Sequence, residues 1–263
     1  MTKLALMPNI GAVIAGIGTP GLAPELAGLI REVAPYTYTV IFGYRGNARP
    51  LDLFDDFPAG KRGIFVTDYQ DGPYLLDPFF LAANRRPVLS GLFRMRDLAP
   101  DRFYQGEYFR NYYVQTGLAE EIAFFVDLPQ GITVVLSLMR EDKPFSPRDF
   151  RNLQDLHPVV DACLRRHWVD LADRLSVQQS TRDTTLKSPV ERSFQHFGQG
   201  ILTPREREVV EHTLKGHSAE ATGQILTISP GTVRIHRRNI YAKLRISSQG
   251  ELFSKFIQTL ATT

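Results

Sequence analysis

The sequence predicts two structural classes in one chain: an α/β domain, whose antiparallel sheet is covered by helices on both faces, and an all-α domain of four helices. Residues 121–128 and 132–140 are rich in β-branched and aromatic residues, and Pro129-Gln130-Gly131 between them suits a hairpin turn. Residues 201–263 instead carry apolar residues at helical spacing, behind Ser and Thr residues that suit helix N-caps. The first pattern therefore belongs to the α/β domain and the second to the helical one.

Further elements are predicted around this hairpin. Apolar residues at three- and four-residue spacing predict helices, whereas alternating β-branched and aromatic residues predict strands. Residues 65–69 fit either one, because Asp71-Gly72-Pro73 would stop both. Ser146 is expected to cap a long helix that reaches about residue 175 and kinks at Pro158. The other expected elements are helices at residues 8–16, 20–33, 75–84 and 101–115 and strands at residues 37–44 and 91–98.

Composition places the chain among ordinary globular proteins that bury a core. Of its 263 residues, 43% are hydrophobic and 22% are charged. The net charge of +3 is uneven, because residues 201–263 hold 9 Lys and Arg against 5 Asp and Glu. A basic excess confined to one part of the chain favours a polyanionic partner for that part. The single cysteine, Cys163, cannot form an internal disulfide, which favours the reducing cytoplasm.

The sequence lacks the patterns of several other protein classes. No apolar run reaches the length of a membrane span, so no membrane partner is expected. There is no Gly-rich phosphate loop and no cluster with metal-ligand spacing, so neither a cofactor nor a metal is expected. His157, His167 and His196 stand apart from any nucleophile-like turn, and Cys163 falls on the apolar face of a predicted helix. We therefore expect no catalytic residues and no enzymatic activity.

The end of the chain contains the start signals of successive helices. Thr203-Pro204 with Glu206 forms a capping box, in which side chains and backbone amides satisfy one another. That helix is expected to end at Lys215-Gly216. Ser218 is expected to cap a second helix that ends at Leu226. Two short helices and a turn ahead of a basic helix are typical of a helix-turn-helix motif.

The basic helix is predicted over residues 229–245, with Ser229 as its N-cap. Val233, Ile240 and Leu244 fall on one side and form a core stripe. The segment holds five Lys and Arg residues and no Asp or Glu. Arginine side chains match both guanine edges and phosphate oxygens, so the helix suits a DNA major groove. A solvated surface is the alternative for an isolated charge run, and the surrounding capping signals favour DNA binding instead.

The stretches Leu202-Thr-Pro-Arg-Glu-Arg-Glu, Ile228-Ser-Pro-Gly-Thr-Val-Arg and Ile240-Tyr-Ala-Lys-Leu together resemble the LuxR-type DNA-binding domain. The resemblance implies a homodimer that binds an inverted-repeat operator in double-stranded DNA, with half-sites about one helical turn apart. It also implies which residues contact DNA. The positions that match the family's base contacts are Arg234, Ile235 and Arg238, those that match its phosphate contacts are Ser229, Thr232 and Lys243, and Arg237 joins them from the basic face.

The chain departs from the family pattern in the helix before the basic one. The family usually has Glu-Ile-Ala where this chain has Ala221-Thr222-Gly223. A glycine inside a helix costs about 1 kcal/mol relative to alanine. Arg245 and Gln249 also stand where Gly and Arg are common in the family. These departures bear on the firmness of that helix more than on the DNA role.

Residues 176–200 separate the two predicted domains. This stretch is polar and aperiodic, which is the composition of a linker. The predicted organisation is therefore a ligand-binding or sensor domain at residues 1–175, a linker at residues 176–200, and the helix-turn-helix domain at residues 201–263. The front domain does not fit a phosphoacceptor receiver, because Asp55-Asp56 comes too late to be the acidic pair after a first strand.

A small-molecule site is the second possibility for the front domain. Phe65, Tyr69, Tyr74 and Asp77-Pro78 resemble the Trp, Tyr, Tyr and Asp-Pro signature of the autoinducer-binding domain of quorum-sensing LuxR proteins. The resemblance implies that Tyr69 donates to a ligand carbonyl and that Asp77 accepts from an amide or ammonium N–H. Phe65 replaces the family's Trp, whose ring N–H binds the lactone carbonyl, and this favours a ligand other than an ordinary acyl-homoserine lactone.

An aromatic segment at residues 103–113 could add to such a site. Tyr104, Tyr108 and Tyr112 are expected on one helical face with Glu107 beside them, a set that could hold a cationic group. The alternatives are that the tyrosines form part of the core and that Asp77 caps a helix. The same alternative expects Glu107, Glu120 and Glu121 to be solvated.

These observations together predict a cytoplasmic, homodimeric transcription regulator controlled by a small molecule, with an amine or an amide-containing signal as a candidate ligand. The rival hypothesis keeps the DNA-binding role and gives the front domain a different one. In that alternative, the front domain is a dimerisation or protein-interaction module without a small-molecule ligand.

Overall fold

The computed structural model describes residues 7–46, 48–85, 87–111, 113–173 and 196–261. By spatial contact the chain forms two compact units. The first consists of Met1–Gly63, Leu81–Leu98 and Leu118–Thr185, and the second of Ile64–Phe80, Ala99–Gly117 and Leu186–Thr263. Most of the predicted linker lies outside the described residues, so the predicted domain boundaries remain a prediction. Within the described ranges, no helix is long and apolar enough to cross a membrane.

A five-stranded antiparallel sheet forms the centre of the first unit. Its strand order is β2-β1-β5-β4-β3, and the predicted hairpin is present as the β4–β5 pair. The turn between them places Gln130 at a φ of 61°, and Gly131 also has a positive φ. The strands are β1 (Tyr38–Arg45), β2 (Leu51–Asp55), β3 (Gly91–Arg94), β4 (Glu120–Leu128) and β5 (Ile132–Arg140).

Three long helices supply most of the helical part of this core. They are α1 (Met7–Gly16), α2 (Leu22–Val33) and α7 (Pro147–His167). Helix α7 begins with a capping box, because Ser146 accepts from Asp149 N–H and the Asp149 carboxylate accepts from Ser146 N–H. One hydrophobic cluster joins the helices to the sheet, and it includes Leu26, Ile30, Phe124, Leu136, Leu153 and Val160.

The first unit differs from expectation at three elements. Strand β2 was not predicted, because its two Asp residues are unfavourable in strands and it lies at the edge of the sheet. The strand expected at residues 91–98 is only β3, and the chain then turns into the short helix α5 (Met95–Leu98). Helix α7 ends at His167 instead of continuing to about residue 175.

Glu120 and Glu121 are buried, so the expectation that they are solvated is wrong. The Glu120 carboxylate accepts from Arg94 at 2.5 Å and from the backbone N–H of Phe145 at 2.6 Å. A buried carboxylate needs such partners, because burying an unpaired charge is very costly. The sequence did not indicate this pair, since its members are far apart along the chain.

The second unit contains two segments of short helical turns. Neither of the continuous helices expected at residues 75–84 and 101–115 is present. The backbone is extended at Asp77 (φ −72°, ψ 125°) and at Gly106 (φ −75°, ψ 159°), and each interrupts a helix. The turns are a π-helical turn (Gly63–Asp68) and 3-10 turns at Pro73–Leu76, Phe103–Gln105 and Tyr113–Thr116. The short helix α6 (Glu107–Asn111) also lies in this unit and α4 (Pro78–Ala83) begins in it, whereas α3 (Ala59–Arg62) belongs to the first unit.

The predicted four-helix region completes the second unit. Thr203, Ser218 and Ser229 each cap a helix as expected. The last helix buries Leu252 and Phe256, and the Phe256 ring packs edge-on against Phe197 at 5.7 Å. These side chains therefore close the core of the region. The helices are α8 (Pro204–Leu214), α9 (Ala219–Leu226), α10 (Pro230–Leu244) and α11 (Gln249–Ala261).

Candidate functional site

Helix α10 carries the predicted DNA-contacting residues. Its start is fixed by Ser229, whose hydroxyl accepts from Thr232 N–H at 3.0 Å. Val233 and Ile240 are buried at 0% and 1% exposure, so the apolar stripe faces the core. The opposite side is open to solvent, where Ile235 is 50% exposed. Of the predicted contacts, Ser229, Arg234, Ile235, Arg238 and Lys243 are exposed, and Thr232 and Arg237 are half-buried.

The approach of α9 to α10 depends on Gly223. A Cβ at this position would lie 2.7 Å from the backbone oxygen of Ile228 and 3.4 Å from the nitrogen of Pro230. Thr227, which ends α9, has a left-handed conformation with a φ of 56°. The glycine that weakens α9 on helix propensity therefore also allows the close crossing of the two helices.

Arg237 makes its hydrogen bonds within the protein. Its Nε–H donates to Thr213 Oγ1 at 3.1 Å and its Nη2–H donates to the backbone oxygen of His217 at 2.9 Å. These contacts tie α10 to the end of α8 and to the turn that follows. The predicted DNA contact of Arg237 stays a prediction, and any such contact would compete with these bonds.

Lys243 forms an ion pair that the sequence did not indicate. Its ammonium group donates to both carboxylate oxygens of Glu206, at 2.9 and 2.7 Å. The Glu206 side chain is almost fully buried, whereas that of Lys243 is 38% exposed. Burial by itself raises the pKa of Glu206, and the hydrogen bonds from Lys243 and Thr203 outweigh it and lower the pKa. This pair joins the start of α8 to the end of α10.

Arg234 is also paired on the surface. Its guanidinium contacts the carboxylate of Glu220 in the first turn of α9, and both side chains are more than half exposed. Exposed pairs of this kind contribute little to stability. Glu220 was not among the predicted site residues, although an acid near the N-terminus of a helix is a recognisable sequence feature.

The motif residues of the predicted ligand site come together in the second unit. The Tyr69 hydroxyl donates to Asp77 Oδ2 at 2.6 Å, and Asp77 Oδ1 accepts from Phe79 N–H at 2.8 Å. Asp77 is only 7% exposed. Burial raises its pKa to about 6, against the opposing hydrogen bonds from Tyr69, Phe79 and Phe80. The carboxyl group therefore caps α4 and also holds the Tyr69 hydroxyl.

Aromatic rings surround this pair. Phe65 and Tyr74 are buried, and the Tyr74 ring centre lies 6.1 Å from that of Tyr69. Tyr74 also packs edge-on against Phe80 at 4.9 Å. Hydrogen bonds are stronger in such a low-dielectric environment than in water, so a ligand group that met Tyr69 or Asp77 here would be held firmly.

The remaining tyrosines do not share one helical face, which corrects the expectation. Gly106 interrupts the helix between Tyr104 and Tyr108, so Tyr104 is 46% exposed while Tyr108 is 4% exposed. The side chains of Glu107 and Tyr112 lie outside what the structure describes. Phe103 was missed by sequence reasoning. Its ring centre lies within 5.2 to 6.3 Å of those of Tyr104, Tyr108, Phe109 and Tyr113.

Comparisons with known proteins agree with this arrangement. Residues 200–256 match the family described as bacterial regulatory proteins, luxR family. An HTH-type transcriptional regulator from the exeN 3′ region of Aeromonas salmonicida is 34% identical over 189 residues, which cover 71% of this chain and 95% of the relative. The monoamine regulon transcriptional regulator of Klebsiella aerogenes is 27% identical over 86% of each chain.

A solved structure extends the comparison to the front of the chain. The crystal structure of the VqsR LBD domain from Pseudomonas aeruginosa aligns with a TM-score of 0.53 and 25% identity, over 62% of this chain and 96% of that one. The family match and the near-complete coverage of the Aeromonas relative lead to one conclusion. The chain belongs to the LuxR family of bacterial transcriptional regulators.

Proposed function

We propose that this regulator binds an inverted-repeat operator as a homodimer in the cytoplasm and that α10 enters the major groove. The observation that carries the proposal is the exposed face of α10, where Arg234, Ile235 and Arg238 stand opposite the buried stripe. Arginine reads guanine edges through paired hydrogen bonds, and an apolar side chain contacts the thymine methyl group. Ser229, Thr232 and Lys243 match the family's phosphate contacts, and a phosphate at Lys243 would compete with its ion pair to Glu206.

The proposed signal is a small molecule that carries an N–H group, either an amine or an amide. Asp77 supports this choice, because a buried carboxyl group whose pKa is about 6 is mostly ionised at neutral pH. A ligand N–H or ammonium group would supply a partner for that charge. Tyr69 would then turn its hydroxyl toward a ligand carbonyl. The name of the Klebsiella relative, a monoamine regulon regulator, agrees with an amine.

Ligand binding would act on DNA binding by shifting a conformational equilibrium. A ligand shifts such an equilibrium only by its difference in affinity for the two states. Entry of a ligand group between Tyr69 and Asp77 would replace a hydrogen bond of 2.6 Å within the protein, so the two states would differ at this pair. The ligand would promote DNA binding if it bound more tightly to the state that can bind DNA. It would oppose DNA binding if it bound more tightly to the other state.

Thermal melting of the full chain tests the ligand proposal. In a panel of acyl-homoserine lactones, amines, amino alcohols and amides, one of the last three classes should raise the melting temperature, and the ordinary acyl-homoserine lactones should not. Asp77→Ala should lose this shift and keep DNA binding, while Asp155→Ala, which changes an exposed acid on α7, should behave as the unchanged protein. A flat panel would favour the rival hypothesis, in which the front of the chain is an interaction module.

Binding to a randomised pool of DNA duplexes tests the DNA proposal. Arg238→Ala should weaken binding by the equivalent of about 1–3 kcal/mol and broaden the selected sequence at one position. Arg151→Ala removes an exposed arginine of α7 and serves as the matched control. Uniform weakening of all sequences by Arg238→Ala would assign this residue to phosphate contact only.

A further inference from the structure

Within the second unit, the aromatic segment contacts the turn between the first two helices of the helix-turn-helix region. The segment in question is Asp101–Gly106, and the turn is Gly216–Ser218. The backbone N–H of Arg102 donates to the oxygen of Gly216 at 3.1 Å. The Asp101 carboxylate accepts from the backbone N–H of Ser218 at 3.0 Å. Two hydrogen bonds therefore fix the segment to the turn.

The contact is too close for a side chain to stand between the two backbones. Gly216 has a φ of +91°, and a Cβ placed on it would lie 3.0 Å from Phe103 Cα and 3.3 Å from Phe103 N. Helix α6, which follows the segment, also packs against α11. The segment and the helix that follows it therefore both contact the helix-turn-helix region.

The same turn is also hydrogen-bonded to α10. Arg237 donates to the backbone oxygen of His217, the residue between Gly216 and Ser218. The turn is thus shared between the aromatic segment and the helix proposed to read DNA. A movement of the segment would therefore move the turn to which Arg237 of α10 is hydrogen-bonded.

Phe103 links the turn to Tyr104 and Tyr108, the tyrosines predicted from the sequence to add to the ligand site. Its backbone lies against Gly216, while its ring packs against Tyr104 and Tyr108 at 5.2 and 5.7 Å between ring centres. Because Phe103 contacts both these rings and Gly216, we expect a rearrangement of the rings to act on the Gly216 contact. This step rests on the proposed ligand site, whereas the effect on DNA described next does not.

We propose that the Asp101–Gly106 segment makes an autoinhibitory contact. The segment weakens DNA binding while it is docked on the Gly216–Ser218 turn, and it is released when DNA binds. In a helix-turn-helix, the helix before the recognition helix crosses the DNA backbone. That helix is α9, and Ser218 caps its start. The docked Asp101 places a carboxylate beside this start, where it repels DNA phosphates and occupies a backbone N–H.

Hydrogen exchange of the full-length, ligand-free protein tests the release. The amides of Arg102 and Ser218 are the donors of the two docking hydrogen bonds. With a saturating mixed-sequence DNA duplex, we expect both amides to exchange at least several-fold faster than in free protein. Equal or slower exchange of both amides on DNA would overturn the proposal, because the segment would then stay docked.

The DNA affinity of Asp101→Ala provides the second arm. Without the docking carboxylate, the full-length protein should bind the mixed-sequence duplex about 3- to 10-fold more tightly in low salt, with a smaller gain in high salt. Asp142→Ala removes an exposed acid of the first unit and controls for net charge. An affinity of Asp101→Ala no higher than that of Asp142→Ala would also overturn the proposal. Neither arm uses a ligand, so failure of the ligand proposal would be seen separately, in the melting panel.

Discussion

The helix-turn-helix region and the two aromatic segments, residues 63–83 and 103–116, form helical structure by different means. In the first, Thr203, Ser218 and Ser229 each cap a helix of eight or more residues through a side-chain oxygen. In the aromatic segments, the 3-10 turns that follow Gly72 and Arg102 receive no such side-chain hydrogen bond from these residues. The first region is specified by side-chain caps at each helix start. The second has one such cap, Asp77 at the start of α4, and otherwise depends on packing between its aromatic rings.

The largest effect that tests this comparison is expected at Phe80, which is 2% exposed and packs edge-on against Tyr74. Phe80→Ala should lower the free energy of unfolding by about 3–5 kcal/mol, because it removes a buried ring and leaves a cavity. Urea denaturation measures the loss. A loss of only about 1 kcal/mol in the free energy of unfolding would contradict this difference between the regions, because ring packing would then contribute little to the aromatic segments.

The same difference explains what the sequence could predict. The β4–β5 hairpin was predicted because its two strands and its turn are adjacent in the chain. The order β2-β1-β5-β4-β3 was not, because β1 pairs with β5, which is far along the chain. The aromatic helix expected at residues 101–115 is interrupted at Gly106, where the backbone is extended, and glycine is disfavoured inside helices.

The second prediction concerns Asp77, whose pKa is raised by burial to about 6. In the unfolded chain an aspartate has a pKa of about 3.9. Between pH 4 and pH 6, therefore, Asp77 ionises first in the unfolded chain, and its contribution to the stability of the protein falls as the pH rises. The difference of about two pKa units corresponds to a loss of about 3 kcal/mol, complete above roughly pH 7.

Asp77→Asn isolates this loss, because the amide does not titrate and can still bond to Tyr69 and Phe79. Unfolding in urea at pH 4, 5, 6 and 7 should show Asp77→Asn gaining on the unchanged protein as the pH rises. Other carboxyl groups contribute equally to both proteins. A constant difference across this range would mean that the pKa of Asp77 is not raised in the folded protein.

A smaller effect is expected at the start of α8. Thr203 caps this helix by accepting from Glu206 N–H at 3.2 Å. Thr203→Ala should cost about 1 kcal/mol, the usual contribution of an N-cap, and Thr203→Ser should restore most of it. Thermal unfolding of the two variants measures the difference. Equal loss in both would show that the methyl group of Thr203 matters, and the helix would then rely on packing as the aromatic segments do.

The site residues divide along the same line. The predicted contacts of α10 follow from a local motif, and five of the seven are exposed. The contact of Phe103 with Gly216, the pair of Glu206 with Lys243 and the bonds of Arg237 join residues far apart along the chain, and no local pattern indicates these contacts. Arg237 shows the limit of such local prediction. Its charge led to the prediction that it contacts DNA, whereas its hydrogen bonds are made within the protein.

The smallest net effect is expected at Gly223 in the helix-turn-helix region, because helix propensity and packing oppose each other there. Helix propensity favours alanine over glycine by about 1 kcal/mol. In α2, a Cβ on the exposed Gly28 meets nothing within 4 Å, so Gly28→Ala should stabilise the protein by about 0.5–1 kcal/mol. In α9, the Cβ of Gly223→Ala would lie 2.7 Å from the Ile228 oxygen, and relieving such a contact typically costs about 1–3 kcal/mol.

Gly223→Ala should therefore lower the melting temperature, although the propensity gain and the family's usual alanine both favour the opposite sign. Gly28→Ala, measured under the same conditions, controls for the propensity term alone. If both variants raise the melting temperature, α9 can shift away from α10 at little cost. The spacing of the two helices would then be set by their caps, and the comparison between the two regions would hold even at the crossing point.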